Sequence, residues 1–147
     1  MVGGPLTGRL TAADVGGWLF TCHPGEFAEI RAGRAVDGFC GRPTYRLDLV
    51  GRDQPAVLWV SGSASARPRP GIWMVGRTTG ALDRGAARPR IGLALDLLAE
   101  PLPRDVLRVD PRTARLEVLR VPQASNPSVV SPGEWEAIVE LLGGDLP

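Results

Sequence analysis

Lysine is absent from this chain of 147 residues, so all 17 of its basic side chains are arginine. Histidine occurs once, at His23, and cysteine twice, at Cys22 and Cys40. One imidazole leaves a single candidate base for any Ser-His-Asp or Cys-His arrangement. That base adjoins Cys22 in sequence, and neighbouring residues of a strand point to opposite faces, so the two should not meet as nucleophile and base. No GxxxxGK[ST] loop occurs, and no GxGxxG loop follows a strand pattern. Neither cysteine belongs to a CxxC pair, and His23 does not complete a metal site with them. No apolar run approaches the roughly 20 residues needed to cross a bilayer. The first ten residues lack the basic start, apolar middle and cleavage site of a secretory signal. The expectation is a soluble, cytoplasmic, non-catalytic protein without cofactor, metal or membrane contact. Cys22 and Cys40 lie 18 residues apart. A disulfide between them stays open on paper, while an intracellular setting favours two buried thiols.

What is present suits one domain over residues 1–147, with 1–16 as a loosely ordered lead-in. Hydrophobic residues make up 44% of the chain, enough for one core. The net charge is +1, but it is unevenly spread. Residues 63–90 carry six arginines (67, 69, 77, 84, 88 and 90) against Asp83 alone, whereas residues 91–147 carry five arginines and nine acids. A basic middle and an acidic end suit a two-sided domain with one face toward phosphates; arginine gathered in exposed loops for solubility alone is the competing account.

Strand patterns fall at 18–22, 56–61 and 72–78. A near-continuous apolar run at 91–98 reads as a buried strand, and 115–120 alternates as a half-buried one. Alternation puts Val57, Trp59 and Ser61 on one face of their strand and Leu58 and Val60 on the other. By the same rule Trp73, Val75 and Arg77 share a face. Pro24 opens a short helix, 102–108 form a helical turn, and residues 36–46 are ambiguous. Ser131-Pro132-Gly133-Glu134 forms a capping box, and Trp135, Ile138, Val139 and Leu142 make the apolar stripe of a C-terminal helix. Few helices separate the strands, so the fold class is α+β and mainly antiparallel, with a small curved sheet or barrel to hide the edges.

The informative side chains are aromatic. Trp18, Phe20, Trp59 and Trp73 all fall on strand patterns beside an arginine-rich hairpin. Rings of this kind either fill a core or stack bases, while arginine holds phosphate.

Trp18-Leu19-Phe20-Thr21-Cys22-His23-Pro24 resembles the opening strand of the EVE family. The segments Ala56-Val57-Leu58-Trp59-Val60-Ser61-Gly62 and Gly71-Ile72-Trp73-Met74-Val75-Gly76-Arg77-Thr78-Thr79-Gly80 resemble its central hairpin. Glu100-Pro101, Asn126 and Glu134-Trp135 resemble its ending. The likeness spans roughly residues 17–142. Phe39 stands where the family often has Trp, and Arg52-Asp53-Gln54-Pro55 where it often has Gly-Asp. EVE domains belong to the PUA-like superfamily, related to YTH readers of modified RNA. The resemblance implies a β-barrel with short helices, a C-terminal helix and a pocket for a flipped base, such as a methylated or oxidised cytosine in DNA. The expected partner is nucleic acid, with DNA favoured over RNA. Trp18, Phe20, Phe39, Trp59 and Ser61 would surround the base; Arg42, Arg67, Arg69 and Arg77 would contact phosphate. The alternatives are a protein-interaction module with a plugged pocket, or a PUA-like protein acting on a small molecule.

Overall fold

The computed structural model describes residues 9–32, 38–40, 45–82, 89–121 and 127–144, with 39, 40, 81 and 82 as backbone alone. Its centre is a mixed sheet of six strands: β1 (Gly17–Cys22), β2 (Gly38–Cys40), β3 (Pro55–Val60), β4 (Gly71–Leu82), β5 (Arg90–Pro103) and β6 (Ser128–Val130). The spatial order is β2-β5-β4-β3-β1-β6. β1 runs parallel to β3, with Trp18 opposite Ala56 and Cys22 opposite Val60. The other four pairings are antiparallel. The protein is thus α+β, but the expected closed barrel is replaced by an open sheet whose edges are β2 and β6. Covering takes the place of closure. The edge strands have three residues each, β2 pairing with residues 90–92 of β5 and β6 with residues 17–19 of β1, and helices lie over both faces.

The two faces carry separate cores. On the first, Trp18, Phe20 and Cys22 of β1 and Ala56, Leu58 and Val60 of β3 pack with Phe27 and Ile30 of helix α1 (Pro24–Arg31) and with Leu47 and Val50. On the second, Leu19, Val57, Trp59, Ile72 and Val75 pack with three further helices. These are α2 (Arg104–Val109), α3 (Glu117–Arg120) and α4 (Pro132–Leu141), which contribute Leu107, Val118 and Ile138. β1 and β3 are therefore buried on both sides, which explains the unbroken run Ala56-Val57-Leu58-Trp59-Val60. Emptying such a site, as in Phe20→Ala, costs about 3–5 kcal/mol.

Local chemistry sets several boundaries. His23 Nδ1 accepts the Glu26 N–H at 3.1 Å and caps α1, with Pro24 at the first helical position. Ser131 and Glu134 complete the capping box of α4. Gly143, at φ 86°, lets the chain leave that helix. Residues 9–16, expected to be loose, are partly docked: Leu10 is buried and its N–H donates to Tyr45 Oη at 2.9 Å. Residues 1–8 lie outside the described chain.

Three strand expectations change. In β4, Ile72 faces Trp59 and Met74 faces Leu58, so Trp73 is an extra residue in the ladder. This bulge turns Trp73 onto the face of Met74, away from Val75, and breaks the expected alternation. β5 is buried only over residues 91–93 of the apolar run; Asp96 and Leu97 are exposed. Residues 115–120 form a turn and α3 instead of a strand. Glu117 is held by Arg46 at 2.7 and 2.9 Å, and its Oε1 accepts the Val129 N–H of β6 at 3.0 Å. The edge beside β1 is taken by β6, from a segment with no strand assigned in advance.

Candidate nucleic-acid interface

β1 and β3 are parallel, so their carboxyl ends emerge together. There the Cys22 carbonyl accepts the Ser61 N–H at 2.9 Å and the Ser61 hydroxyl at 3.1 Å. The chain continues through residues 61–70 before entering β4 at Gly71. A side chain at Gly71 would put its Cβ 2.3 Å from the Leu102 carbonyl oxygen, and its φ is 150°. Glycine is required there, and it presses the hairpin loop against the end of β5. Arg104, at the start of α2, ties the two together. Its N–H donates to the Pro70 carbonyl at 2.9 Å, and its guanidinium donates to the Gly62 carbonyl at 2.7 Å.

Between the loop and α2 lies a cleft of about 280 Å³, lined by Arg67, Arg69, Pro70, Pro103, Arg104 and Asp105, with Ala64. Three guanidinium groups face one carboxylate. Among the described residues none of the three is ion-paired. Arg67 donates to the Ser65 and Ala66 carbonyls at 3.3 and 2.9 Å. Arg104 Nε is buried without a hydrogen-bond partner. Arg46 and Arg112 differ: Arg46 is paired with Glu117, and Arg112 with Asp110 and Glu140. An open pocket of unpaired guanidinium groups is suited to a phosphate, which their planar forks can grip in pairs.

The residues expected around a base do not converge. Trp18 and Phe20 are fully buried in the first core, and Trp59 is buried in the second, across the sheet. The cause is the position of β1 and β3, central strands covered on both faces. Trp18 Nε1 donates to Gln54 Oε1 at 2.9 Å, at the end of the sheet opposite the cleft. Ser61 is engaged with Cys22. Phe39 lies on β2 opposite Ile91, and its side chain is outside the described residues, as is all of Arg42. Of the expected phosphate contacts, Arg67 and Arg69 share the cleft. Arg77 does not: it lies midway along β4, opposite Pro55 where β3 begins and opposite Ala94 of β5, and donates to the Asp53 carbonyl. At about 3.3 Å per residue, that is some 20 Å away.

Arg104 and Trp73 were not among the expected site residues. Arg104 had a signal, since it directly follows the Pro101-Leu102-Pro103 segment that ends a strand; Trp73 stood among the informative aromatics, but a bulge is invisible to alternation, so nothing set it apart from the buried rings. The Trp73 indole is half-buried, and its Nε1 donates to the Arg69 carbonyl at 2.8 Å. The Phe27 ring lies 5.0 Å away at 51°. The exposed Arg31 guanidinium stands 5.2 Å from the indole centroid and 5.8 Å from that of Phe27. An exposed cation–π contact contributes about 0.5–1 kcal/mol. A base stacked on an aromatic ring contributes about 1–3 kcal/mol.

The lone histidine caps α1, and Cys22 is buried. Among the described residues, no three of His, Cys, Asp and Glu converge as metal ligands, and no helix is long and apolar enough to cross a membrane.

No family model matches the chain, and no curated protein does. Solved structures do resemble it. A hypothetical protein from Leishmania major matches 91% of this chain and 98% of its own at TM-score 0.67 and 14% identity. An NMR structure from Rhodopseudomonas palustris matches 90% and 97% at TM-score 0.66 and 16% identity. A crystal structure from Pseudomonas putida matches 85% and 98% at TM-score 0.62 and 18% identity. The likeness covers nearly the whole of each of those chains and is one of fold.

Proposed function

We propose that this protein binds nucleic acid, holding phosphate in the cleft formed by Arg67, Arg69 and Arg104. The observation that carries the reading is that these three guanidinium groups line one open cleft and none has a carboxylate partner among the described residues. The reading as an EVE-type, PUA-like domain belongs to the same proposal and rests on the sequence likeness given above. So does its role as a binding protein in place of an enzyme. The single histidine supports this, because its Nδ1 is engaged at the helix cap. Recognition of a modified cytosine is the finer form of the proposal. It now needs rings other than Trp18, Phe20 and Trp59, since those three are buried.

The test is fluorescence anisotropy with labelled single-stranded and duplex DNA, each carrying cytosine or 5-methylcytosine. Binding at low salt that weakens steeply as salt rises is the expected result, because phosphate contacts release counterions. Failure of all four probes to bind at low salt rejects the proposal. Equal affinity for cytosine and 5-methylcytosine rejects the modified-base form alone.

A further inference from the structure

We infer that Trp73 is the stacking surface for one unpaired base of a single-stranded segment whose phosphate lies in the arginine cleft. The inference rests on the nucleic-acid reading above and adds what the rest of the nucleotide meets.

The β-bulge is the first ground. It turns Trp73 out of the alternation and leaves it half-buried at the rim of the first core. The second is the bond from the indole N–H to the carbonyl of Arg69, a residue that lines the cleft. Ring and cleft are fixed to one short stretch of backbone. The third is Arg31. Its guanidinium is flat and exposed, and among the described residues its recorded contacts are the two rings alone. It occupies the zone where a flat heterocycle would stack. Base stacking is the stronger of the two contacts, so a base can displace the guanidinium, which can then cover the base or approach a phosphate. The other half-buried rings lack the tie to the cleft: the Tyr45 hydroxyl accepts the Leu10 N–H, Trp135 packs against the second core, and among the described residues neither ring bonds to a residue that lines the cleft. A base must leave its own stack to reach Trp73, so a single strand should bind better than a duplex, in which a pair must first open.

Three labelled probes read this out on the unaltered protein: an eight-nucleotide single strand, its fully abasic counterpart, and the blunt duplex. The intact strand is expected to bind roughly 5- to 100-fold more tightly than the abasic strand, and more tightly than the duplex. Trp73→Leu should remove that advantage, so that intact and abasic strands bind it alike; Trp73→Phe should keep much of it. If intact and abasic strands bind alike, or if a folded Trp73→Leu protein keeps the preference, the stacking role is refuted while the cleft stands. If none of the probes binds at low salt, the cleft reading itself falls. Should Trp73→Leu fail to fold, the intact-against-abasic comparison on the unaltered protein decides.

Discussion

The two ends of β3 invite comparison. At the end where it begins, polar groups are satisfied by one another. Gln54 Oε1 accepts the Trp18 indole N–H and, at 2.7 Å, the Gly51 N–H; its amide nitrogen donates to the Leu49 carbonyl at 3.0 Å. Thr78, buried beside it, accepts the Gln54 N–H at 3.0 Å and donates to the Gly51 carbonyl at 2.7 Å. At the end where β3 stops, three arginines surround a cleft, and one of their nitrogens is buried with no acceptor. A closed polar network holds a fold together; a cleft with three guanidinium groups to one carboxylate is what the proposed phosphate would complete. Both ends carry polar side chains, and it is their partners that separate the one from the other.

The comparison can be broken from either end. The largest effect belongs to Gln54→Ala, which strands the Trp18 indole N–H, the Gly51 N–H and the Leu49 carbonyl. We expect a loss of about 3 kcal/mol, read as a fall in Tm of roughly 6–12 °C, with oligonucleotide affinity of the folded protein unchanged. A Tm within 2 °C of the parent would dissolve the distinction. Next comes Arg104→Ala at the other end. It should weaken binding to every sequence alike and lower the salt slope by about one, with a small change in Tm, because loss of the bond to the Gly62 carbonyl is offset by removal of a buried nitrogen without a partner.

A third test sharpens what a partnered arginine does. Burial pushes the Glu117 carboxyl up, but the Arg46 guanidinium and the Val129 N–H outweigh burial and hold it below its ordinary value. A depressed carboxylate contributes stability above its unfolded pKa of about 4.3, lost as pH falls through the folded value. Denaturant unfolding from pH 6 down to 3 should show the parent losing more stability than Glu117→Gln. Parallel curves would mean that the pair contributes nothing pH-dependent. The smallest effect is Arg77→Ala, which should leave binding unaltered and shift stability by less than about 0.5 kcal/mol. A clear loss of oligonucleotide affinity would extend the interface to the far end of the sheet.

How much of this was legible in the sequence follows from the same physics. β1, β3, α1 and α4 were readable because apolar patterning and caps are local. The segment 115–120 misled because six alternating residues fit a strand as well as a helical turn. In the fold Glu117 of that segment is held by Arg46, 71 positions away, a contact that no local pattern shows. The arginine surplus located the loop half of the cleft through Arg67 and Arg69. It missed Arg104, which reaches the same cleft from a different element. The aromatic expectation failed for a single reason: strands covered on both faces bury their rings, and no local pattern shows whether a strand is central.

The most direct test of the cleft is the salt dependence of single-strand binding by the parent protein and by the Arg67→Ala/Arg69→Ala/Arg104→Ala protein. Three phosphate contacts predict that the slope of log affinity against log salt differs between them by about 2, the parent being steeper. Superimposable slopes, with the triple variant still folded, would contradict the assignment of this cleft to phosphate.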